Sequence, residues 1–365
     1  MRFLIVFAVL ALLGGYLGWH LWMLPPVAAW LRWLAVGVEA LCLALWVLSM
    51  TRHVDRLPMG LASAVYNIGN QALIVIFYLL LLFLVADLLR LVHLLPTAWL
   101  RDNWITCAVL AVSLAGLFAY ARLHYEHKQR ETMSVDTHGR LERPMRVLAV
   151  SDLHLGYHNR RSDLARWVDM LNAEHPDLVL VAGDLIDRSL RPLLADDMAA
   201  ELRRLDAPVY ACLGNHEYFA GYYDSPAQVE QFYHSAGITL LRDSAAAVGP
   251  LVIVGRDDRS NANRLDLQRL LQQFAVADSQ FTILLDHQPY RLDEAARAGI
   301  GLQLSGHTHR GQVWPLSWIT DAVYECSWGR LEKQGTAYYV SSGLGIWGAK
   351  YRIGTQSEYV VIELI

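Results

Sequence analysis

Charged residues are almost missing from the first third of this chain. Only ten of the 66 Asp, Glu, Lys and Arg residues lie within residues 1–121 of the 365-residue sequence. The stretch between Arg2 and Arg32 contains 29 uncharged residues rich in Leu, Val and Trp. A helix needs about 20 apolar residues to cross the hydrocarbon core of a bilayer. The pattern therefore predicts a membrane-embedded region followed by a soluble region.

The uncharged stretches predict four transmembrane helices within residues 1–121. The first lies between Arg2 and Arg32, and the others are expected at about 33–50, 61–86 and 103–121. Four spans place both chain ends on the same side of the membrane. Basic residues near the span ends favour that side as the cytoplasmic one by six to three.

One acidic residue, Glu39, falls inside the second predicted span. An ionisable group within a bilayer is costly and often marks a transport or ligand path. Glu39 has no clear relay of ionisable partners, although Arg32 lies seven residues earlier on the same helical face. We therefore favour a structural interpretation, in which the carboxyl group bonds to a neighbouring helix.

Composition argues against several classes of protein. The net charge of -4 gives no sign of a polyanion-binding surface, so nucleic acid is not an expected partner. None of the four cysteines has C-x-x-C spacing, which argues against a disulfide framework and against a thiolate metal site.

The second part of the chain has the pattern of an α/β domain. Residues 122–144 are polar and are expected to form a linker, and residues 145–365 are expected to form the folded domain. In that domain short apolar runs rich in β-branched residues alternate with helix-like segments. This alternation predicts sheet strands buried by flanking helices.

Polar clusters follow five of the predicted strands. They are Asp152-Leu153-His154, Gly183-Asp184, Gly214-Asn215-His216-Glu217, His287 and Gly306-His307-Thr308-His309. Ligands of α/β sheets collect at the carboxyl ends of the strands. Carboxylate, amide and imidazole donors without thiolate suit manganese, iron, zinc or cobalt. The sequence therefore predicts two adjacent divalent metals, with seven candidate ligands: Asp152, His154, Asp184, Asn215, His287, His307 and His309.

In order, the motifs resemble those of the calcineurin-like metallophosphoesterase superfamily. They read D-x-H, GD-x-x-DR, GNHE, a lone His and GHTH. The segments Ser151–Gly156, Leu304–Gln312 and Ser341–Gly348 are most similar to a bacterial membrane-linked subgroup that includes UDP-diacylglucosamine pyrophosphatase-like enzymes. The resemblance implies a four-layer α/β/β/α sandwich with a binuclear metal site, here preceded by the four-helix transmembrane region. It also implies a bacterial inner membrane as the location, with the catalytic domain in the cytoplasm.

The resemblance assigns the candidate ligands to two metals. Asp152, His154 and His309 are expected to hold the first metal. Asn215, His287 and His307 are expected to hold the second, and Asp184 is expected to bridge both.

The same resemblance suggests roles for the residues around the metals. His216 is expected to protonate the leaving oxygen or to stabilise the transition state, and Asp187 is expected to orient His216 through a carboxylate–imidazole hydrogen bond. Arg188 is expected to contact the phosphate, because a guanidinium group matches phosphate oxygens in a fork. Arg310 stands where the subgroup often has glycine and is a candidate substrate contact. Glu217 replaces a common aspartate, a change expected to be neutral.

The implied reaction is hydrolysis of a phosphodiester or pyrophosphate bond by a metal-bound hydroxide, with manganese as the preferred metal. The membrane region favours a lipid-linked substrate, with membrane lipids as partners. A soluble nucleotide or phosphomonoester is the alternative substrate, and a catalytically silent receptor or scaffold for phosphate ligands is the alternative of a different class. The aromatic-rich segments 218–223 and 314–328 are open to two interpretations, an apolar rim beside the metals or ordinary packing.

Overall fold

The chain forms two compact units, Met1–Ala121 and Arg122–Ile365. The computed structural model describes residues 2–274 and 280–365, with side chains from residue 8 onward. Each unit is described by itself.

The first unit is built from long apolar helices. They are α1 Arg2–Met23, α2 Ala29–Ser49, α3 Met59–Leu91 and α4 Trp104–Glu126, with short 3-10 helices at Arg52–Arg56 and Thr97–Leu100. α2, α3 and α4 are each long and apolar enough to cross a membrane, which confirms three of the four predicted spans. The described apolar part of α1, Ala8–Met23, is shorter, so the first span stays a prediction.

Polar side chains inside the first unit bond between helices. Asp87 of α3 accepts a hydrogen bond from the Tyr16 hydroxyl (2.8 Å) and another from His20 Nε2 (3.0 Å). His20 is buried and stacks on Phe83 at a ring-centroid distance of 4.3 Å. α3 continues past the predicted end of this span to Leu91, and Asp87 lies in this extension.

The second unit contains two six-stranded sheets and their covering helices. The strands are β1 Lys128–Val135, β2 Met145–Val150, β3 Leu178–Ala182, β4 Val209–Cys212, β5 Ile238–Leu240, β6 Ser244–Val248, β7 Leu251–Gly255, β8 Phe281–Leu285, β9 Leu302–Ser305, β10 Gly329–Lys333, β11 Thr336–Val340 and β12 Ser357–Leu364. The helices are α5 Arg161–Asn172, α6 Arg191–Ala195, α7 Met198–Leu202, α8 Asn215–Tyr223, α9 Pro226–Ser235, α10 Leu267–Phe274, α11 Leu292–Arg297 and α12 Leu316–Val323, with a 3-10 helix at His309–Gly311.

The sheets stack in the predicted four-layer order. Their strand orders are β1-β12-β2-β3-β4-β5 and β10-β11-β9-β8-β7-β6. Val147 of β2 and Ile283 of β8 share the core between the sheets, whereas Leu148 of β2 packs in the core that contains Trp167 of α5. Leu270 of α10 belongs to the core on the outer face of the second sheet. Both faces of these strands are therefore buried, which explains their unbroken apolar runs.

Residues 122–144 correct one expectation. They were predicted as a linker, but they contain β1, which pairs in parallel with β12 at the edge of the first sheet. Met133 and Val135 are buried, while Gln129 and Arg130 are exposed. Only the second half of this edge strand alternates buried and exposed residues, and its first half is charged and polar. The sequence of the segment is therefore similar to that of a linker.

Candidate metal centre

The candidate ligands converge where the parallel strands of the two sheets end. Asp152 follows β2, Asp184 follows β3 and Asn215 follows β4, three neighbouring parallel strands of the first sheet. His287 follows β8 and His307 follows β9, neighbouring parallel strands of the second sheet. The carboxyl ends of both sheets therefore supply one site.

Carboxylate and imidazole groups form three overlapping sets at this site. In each set the donor atoms lie within 4.8 Å of one another. The sets are Asp152, His154 and His309; His154, Asp184 and His216; and Asp184, His287 and His307. Asp184 belongs to two sets and lies between the two predicted half-sites.

The first half-site brings together the residues predicted for the first metal. His154 Nε2 lies 3.1 Å from His309 Nε2. Asp152 Oδ1 lies 3.7 Å from His154 Nε2 and 3.6 Å from His309 Nε2. Asp152 is fixed by the Ser151 hydroxyl (2.5 Å) and by the backbone N–H of His307 (3.1 Å). A backbone N–H group that follows a strand of the second sheet therefore fixes a carboxylate that follows a strand of the first sheet.

The second half-site brings together the residues predicted for the second metal. His287 Nε2 lies 3.0 Å from Asp184 Oδ2. His307 Nδ1 lies 2.8 Å from Asn215 Oδ1. His287 is oriented by its other ring nitrogen, Nδ1, which donates to the Ala182 carbonyl (2.8 Å). Such an outer bond fixes the tautomer of a metal-binding imidazole.

The buried nitrogens of this site fit a pair of divalent metals. His309 Nδ1 has no hydrogen-bond partner among the described residues, and the 3.0 Å contact of His287 Nε2 with Asp184 Oδ2 lacks hydrogen-bond geometry. A buried polar atom without a partner costs about 1–3 kcal/mol. Burial lowers the pKa of His307 to about 4 and that of His309 to about 3, so both rings are neutral, the form that binds metals.

Several candidate ligands have backbone conformations that are uncommon outside glycine. Positive φ values occur at Asp152 (54°), His154 (45°), Asp184 (52°), His307 (73°) and His309 (48°). Each such conformation in a non-glycine residue costs on the order of 1–3 kcal/mol and persists only where the surroundings impose it. Five of the seven candidate ligands therefore share a strained backbone, which is typical of a functional site.

Two glycines allow the ligand loops to touch. A Cβ atom at Gly214 would lie 2.1 Å from Asp184 Oδ1, and one at Gly306 would lie 2.2 Å from Asp152 Oδ2. No side chain fits at these distances. The glycines of GNHE and GHTH therefore leave room for the carboxylates of Asp184 and Asp152.

His216 and Asp187 meet, but not through the expected bond. His216 Nδ1 donates a hydrogen bond to the backbone carbonyl of Asp187. The Asp187 carboxylate lies 3.7 Å from His216 Nδ1 and 3.5 Å from His154 Nδ1, beyond normal hydrogen-bond length. The predicted carboxylate–imidazole bond is therefore wrong in detail, because the loop presents its carbonyl to the ring. Burial lowers the pKa of His216.

Both candidate substrate arginines stack on aromatic rings. The Arg188 guanidinium lies 4.7 Å from the centre of the Tyr223 ring, and that of Arg310 lies 3.9 Å from the Trp328 ring. Stacking orients a guanidinium group while leaving its edges for an anion. Their contact with phosphate stays a prediction.

Glu217 has a role that the sequence did not suggest. Its buried carboxylate accepts hydrogen bonds from the backbone N–H groups of Gly214 (2.7 Å), Asp184 (3.1 Å) and Ile186 (2.9 Å). It also accepts one from the Tyr233 hydroxyl (2.9 Å). Glu217 therefore ties the loop after β3 to the loop after β4. The only sequence signal was its place in GNHE.

Arg352 is a second residue that the sequence did not reveal. It is fully buried and donates to the backbone carbonyls of His309 (2.7 Å) and Ser342 (2.5 Å). Burial lowers its pKa to about 10, so it keeps its charge at neutral pH. Arg352 therefore anchors the loop that carries His309.

The second unit is similar in sequence to known metallophosphoesterases. Residues 145–311 match the model of the calcineurin-like phosphoesterase family. An uncharacterized metallophosphoesterase of Campylobacter jejuni is 28% identical over 261 residues, covering 69% of this chain and 68% of that protein. A transmembrane protein with metallophosphoesterase domain from Danio rerio is 33% identical over 242 residues, covering 60% of this chain and 53% of that protein.

An uncharacterized metallophosphoesterase of Helicobacter pylori is 27% identical over 230 residues, covering 62% of this chain and 61% of that protein. The chain thus spans about half to two thirds of the length of these relatives.

Proposed function

We propose that this protein hydrolyses a phosphodiester or pyrophosphate bond with the help of two divalent metal ions, and the match of residues 145–311 to the calcineurin-like phosphoesterase model supports this class of reaction. The observation that carries the proposal is the three overlapping donor sets, in which Asp184 Oδ2 lies 3.8 Å from His154 Nε2 of one half-site and 3.0 Å from His287 Nε2 of the other. Two metals bound there polarise the phosphate oxygens and make a nucleophile available from water near neutral pH. Manganese is the proposed metal pair, and iron, zinc or cobalt suit the same donors.

The proposed roles of the chain's own residues follow from their positions. Asp152, His154 and His309 would hold one metal, and Asn215, His287 and His307 would hold the other. Asp184 would be shared between them. His216 donates from Nδ1 to the Asp187 carbonyl, which leaves Nε2 to exchange a proton with the leaving oxygen. Arg188 and Arg310 orient the phosphate from the rim.

A lipid-linked substrate is the favoured class. Helix α12, which follows the GHTH segment, has no fully buried residue. Trp318, Ile319 and Val323 of this helix are 64%, 60% and 56% exposed. Exposed apolar surface of this kind marks a membrane or partner contact, and tryptophan concentrates at membrane interfaces. We therefore propose a substrate such as a nucleotide-linked glycolipid, in line with the UDP-diacylglucosamine pyrophosphatase-like subgroup.

The proposed location is a bacterial inner membrane with the metal centre in the cytoplasm. The excess of basic residues on that side of the spans supports this orientation. A reporter enzyme that is active only in the periplasm, fused after Ile365, is expected to stay inactive. An active fusion would reverse the orientation.

The test is metal-dependent hydrolysis of bis-p-nitrophenyl phosphate by the purified full-length protein. Manganese is expected to restore hydrolysis to the metal-depleted wild-type protein. The Asp184→Asn and His216→Ala variants are expected to stay inactive when manganese is added. His234→Ala is the matched control, because His234 is an exposed histidine of α9 outside the site. A protein that binds metals but hydrolyses neither this diester nor lipid-linked diphosphates in micelles would be a phosphate-binding receptor instead.

A further inference from the structure

The helices of the first unit border an apolar cavity. Its volume is about 520 Å³, and residues of α1, α2 and α3 line it. Small-molecule sites have volumes of about 300–1,000 Å³. Apart from Glu39, the lining side chains are those of Leu, Ile, Val, Ala and Cys. The cavity is therefore large enough for a hydrocarbon chain and offers one polar group.

Glu39 is buried at the middle of its helix. It is the eleventh residue of the 21-residue α2, so it lies about 15 Å from either helix end. Its side chain is 6% exposed, and Oε1 has no hydrogen-bond partner among the described residues. The expected bond to a neighbouring helix is therefore not made by this oxygen.

Arg32 does not neutralise Glu39. Its guanidinium group donates to the Asp102 carboxylate (2.6 Å) and to the Trp22 carbonyl (3.0 Å). Although Arg32 lies on the same helical face as Glu39, its guanidinium group bonds to Asp102 and Trp22 instead.

Helix α1 closes one side of the carboxyl group. A Cβ atom at Gly18 would lie 3.2 Å from Glu39 Oε2, and one at Gly14 would lie 3.6 Å from Oε1. Two small residues four positions apart let two membrane helices approach closely. The glycines thus place α1 against Glu39, and Glu39 is the one ionisable residue among those that line the cavity.

The cavity therefore combines an apolar wall with an unsatisfied hydrogen-bonding group. A buried polar group without a partner is costly, and more so within a bilayer. Ordinary lipid chains fill apolar space but donate no hydrogen bond, and phospholipid head groups stay at the membrane surface. We propose that this cavity binds a long-chain amphiphile whose hydrocarbon chain packs on α1–α3 and whose hydroxyl or amine group donates a hydrogen bond to Glu39. This site is separate from phosphoester hydrolysis.

Photolabelling of the full-length protein in phosphatidylcholine nanodiscs tests the proposal. Three diazirine probes with the same hexadecyl chain are compared: the alcohol, the amine and the methyl ether, which has no donor. The alcohol or the amine is expected to label peptides of α1–α3 about tenfold more than the ether, as one hydrogen bond to a buried carboxyl group allows. The probe that labels more strongly, the alcohol or the amine, identifies the donor group that the site prefers.

Three variants give the test its controls. Glu39→Leu is expected to reduce labelling by the donor probe to the level of the ether. Ala35→Phe fills the cavity and is also expected to reduce labelling by the donor probe. Gly37→Phe is expected to leave labelling unchanged, because a Cβ at Gly37 meets no atom within 4 Å. Equal labelling by ether and donor probes, or labelling that survives Glu39→Leu, would overturn the proposal.

Hydrolysis of bis-p-nitrophenyl phosphate is expected to be unchanged in Glu39→Leu. A failure of this proposal and a failure of the proposed phosphoesterase activity are therefore distinguishable.

Discussion

Gly214→Ala tests whether the position of Asp184 controls the metal centre. The new Cβ would lie 2.1 Å from Asp184 Oδ1 and 2.7 Å from its backbone nitrogen. Ordinary contacts of a Cβ begin at 3.4 Å, so the carboxylate must move by about 1.3 Å. The φ angle of Gly214 is -110°, which any residue adopts. The steric clash alone is therefore the perturbation.

A displacement of about 1 Å at a reacting centre costs about 100-fold in rate. We expect kcat/KM for bis-p-nitrophenyl phosphate to fall by at least about 100-fold, or about 2.7 kcal/mol of transition-state stabilisation. Bound metal, measured by elemental analysis of the same samples, is expected to fall with it, because Asp184 lies between the two half-sites, beside His154 and His287.

Gly221→Ala is the matched control. Gly221 lies in α8, the helix that begins directly after Gly214, and the nearest atom to its added Cβ is 3.6 Å away, an ordinary contact. Activity and metal content are expected to be unchanged, with stability equal or slightly higher. If Gly214→Ala keeps two metals and wild-type kcat/KM, the account of how the two loops fit together is refuted.

Three further predictions follow from the same structure. In Glu217→Gln the amide nitrogen can take the position of Oε1, where the Tyr233 hydroxyl accepts from it but the Ile186 N–H loses its acceptor. Thermal unfolding should therefore show a loss of about 1–3 kcal/mol, whereas Glu230→Gln, in an exposed ion pair with Arg242, should cost at most about 1 kcal/mol. Removal of metal with EDTA should lower the unfolding midpoint, and manganese at about 100 times its Kd should restore about 2.7 kcal/mol; no shift would exclude metal binding to the folded state. The double variant Trp318→Ser, Ile319→Ser should reduce turnover of a lipid-linked diphosphate in micelles but not turnover of bis-p-nitrophenyl phosphate. The control Leu194→Ser, at a leucine of α6 that is 63% exposed, should change neither rate. An equal loss of turnover on both substrates would argue against membrane docking by α12.

The fold was largely predictable because its strands are buried on both faces. The apolar run of β2 divides its side chains between two cores, and such runs stand out in the sequence. β1 was missed because its polar half is at the sheet edge, where only Met133 and Val135 show the buried alternation. Pairing with a strand more than 220 residues away, β12, is a tertiary effect that local pattern does not contain.

The candidate ligands were predictable because each follows a strand and carries a donor that metals prefer. Their mutual distances depend on the stacking of two sheets, which the order of motifs implies but does not measure. The backbone carbonyl of Asp187 that receives His216 was not predictable, because a motif identifies side chains and not the atoms a loop presents. Arg352 was missed for a related reason, since its partners are backbone carbonyls.

The most direct test of the account is electron paramagnetic resonance of the full-length protein loaded with manganese. Two ions bridged by Asp184 predict the multiline spectrum of a spin-coupled pair, with two manganese ions per chain by elemental analysis. Asp184→Asn should abolish the coupled spectrum. A six-line spectrum of isolated manganese in the wild-type protein, at one ion per chain or fewer, would contradict the binuclear centre on which the proposed function rests.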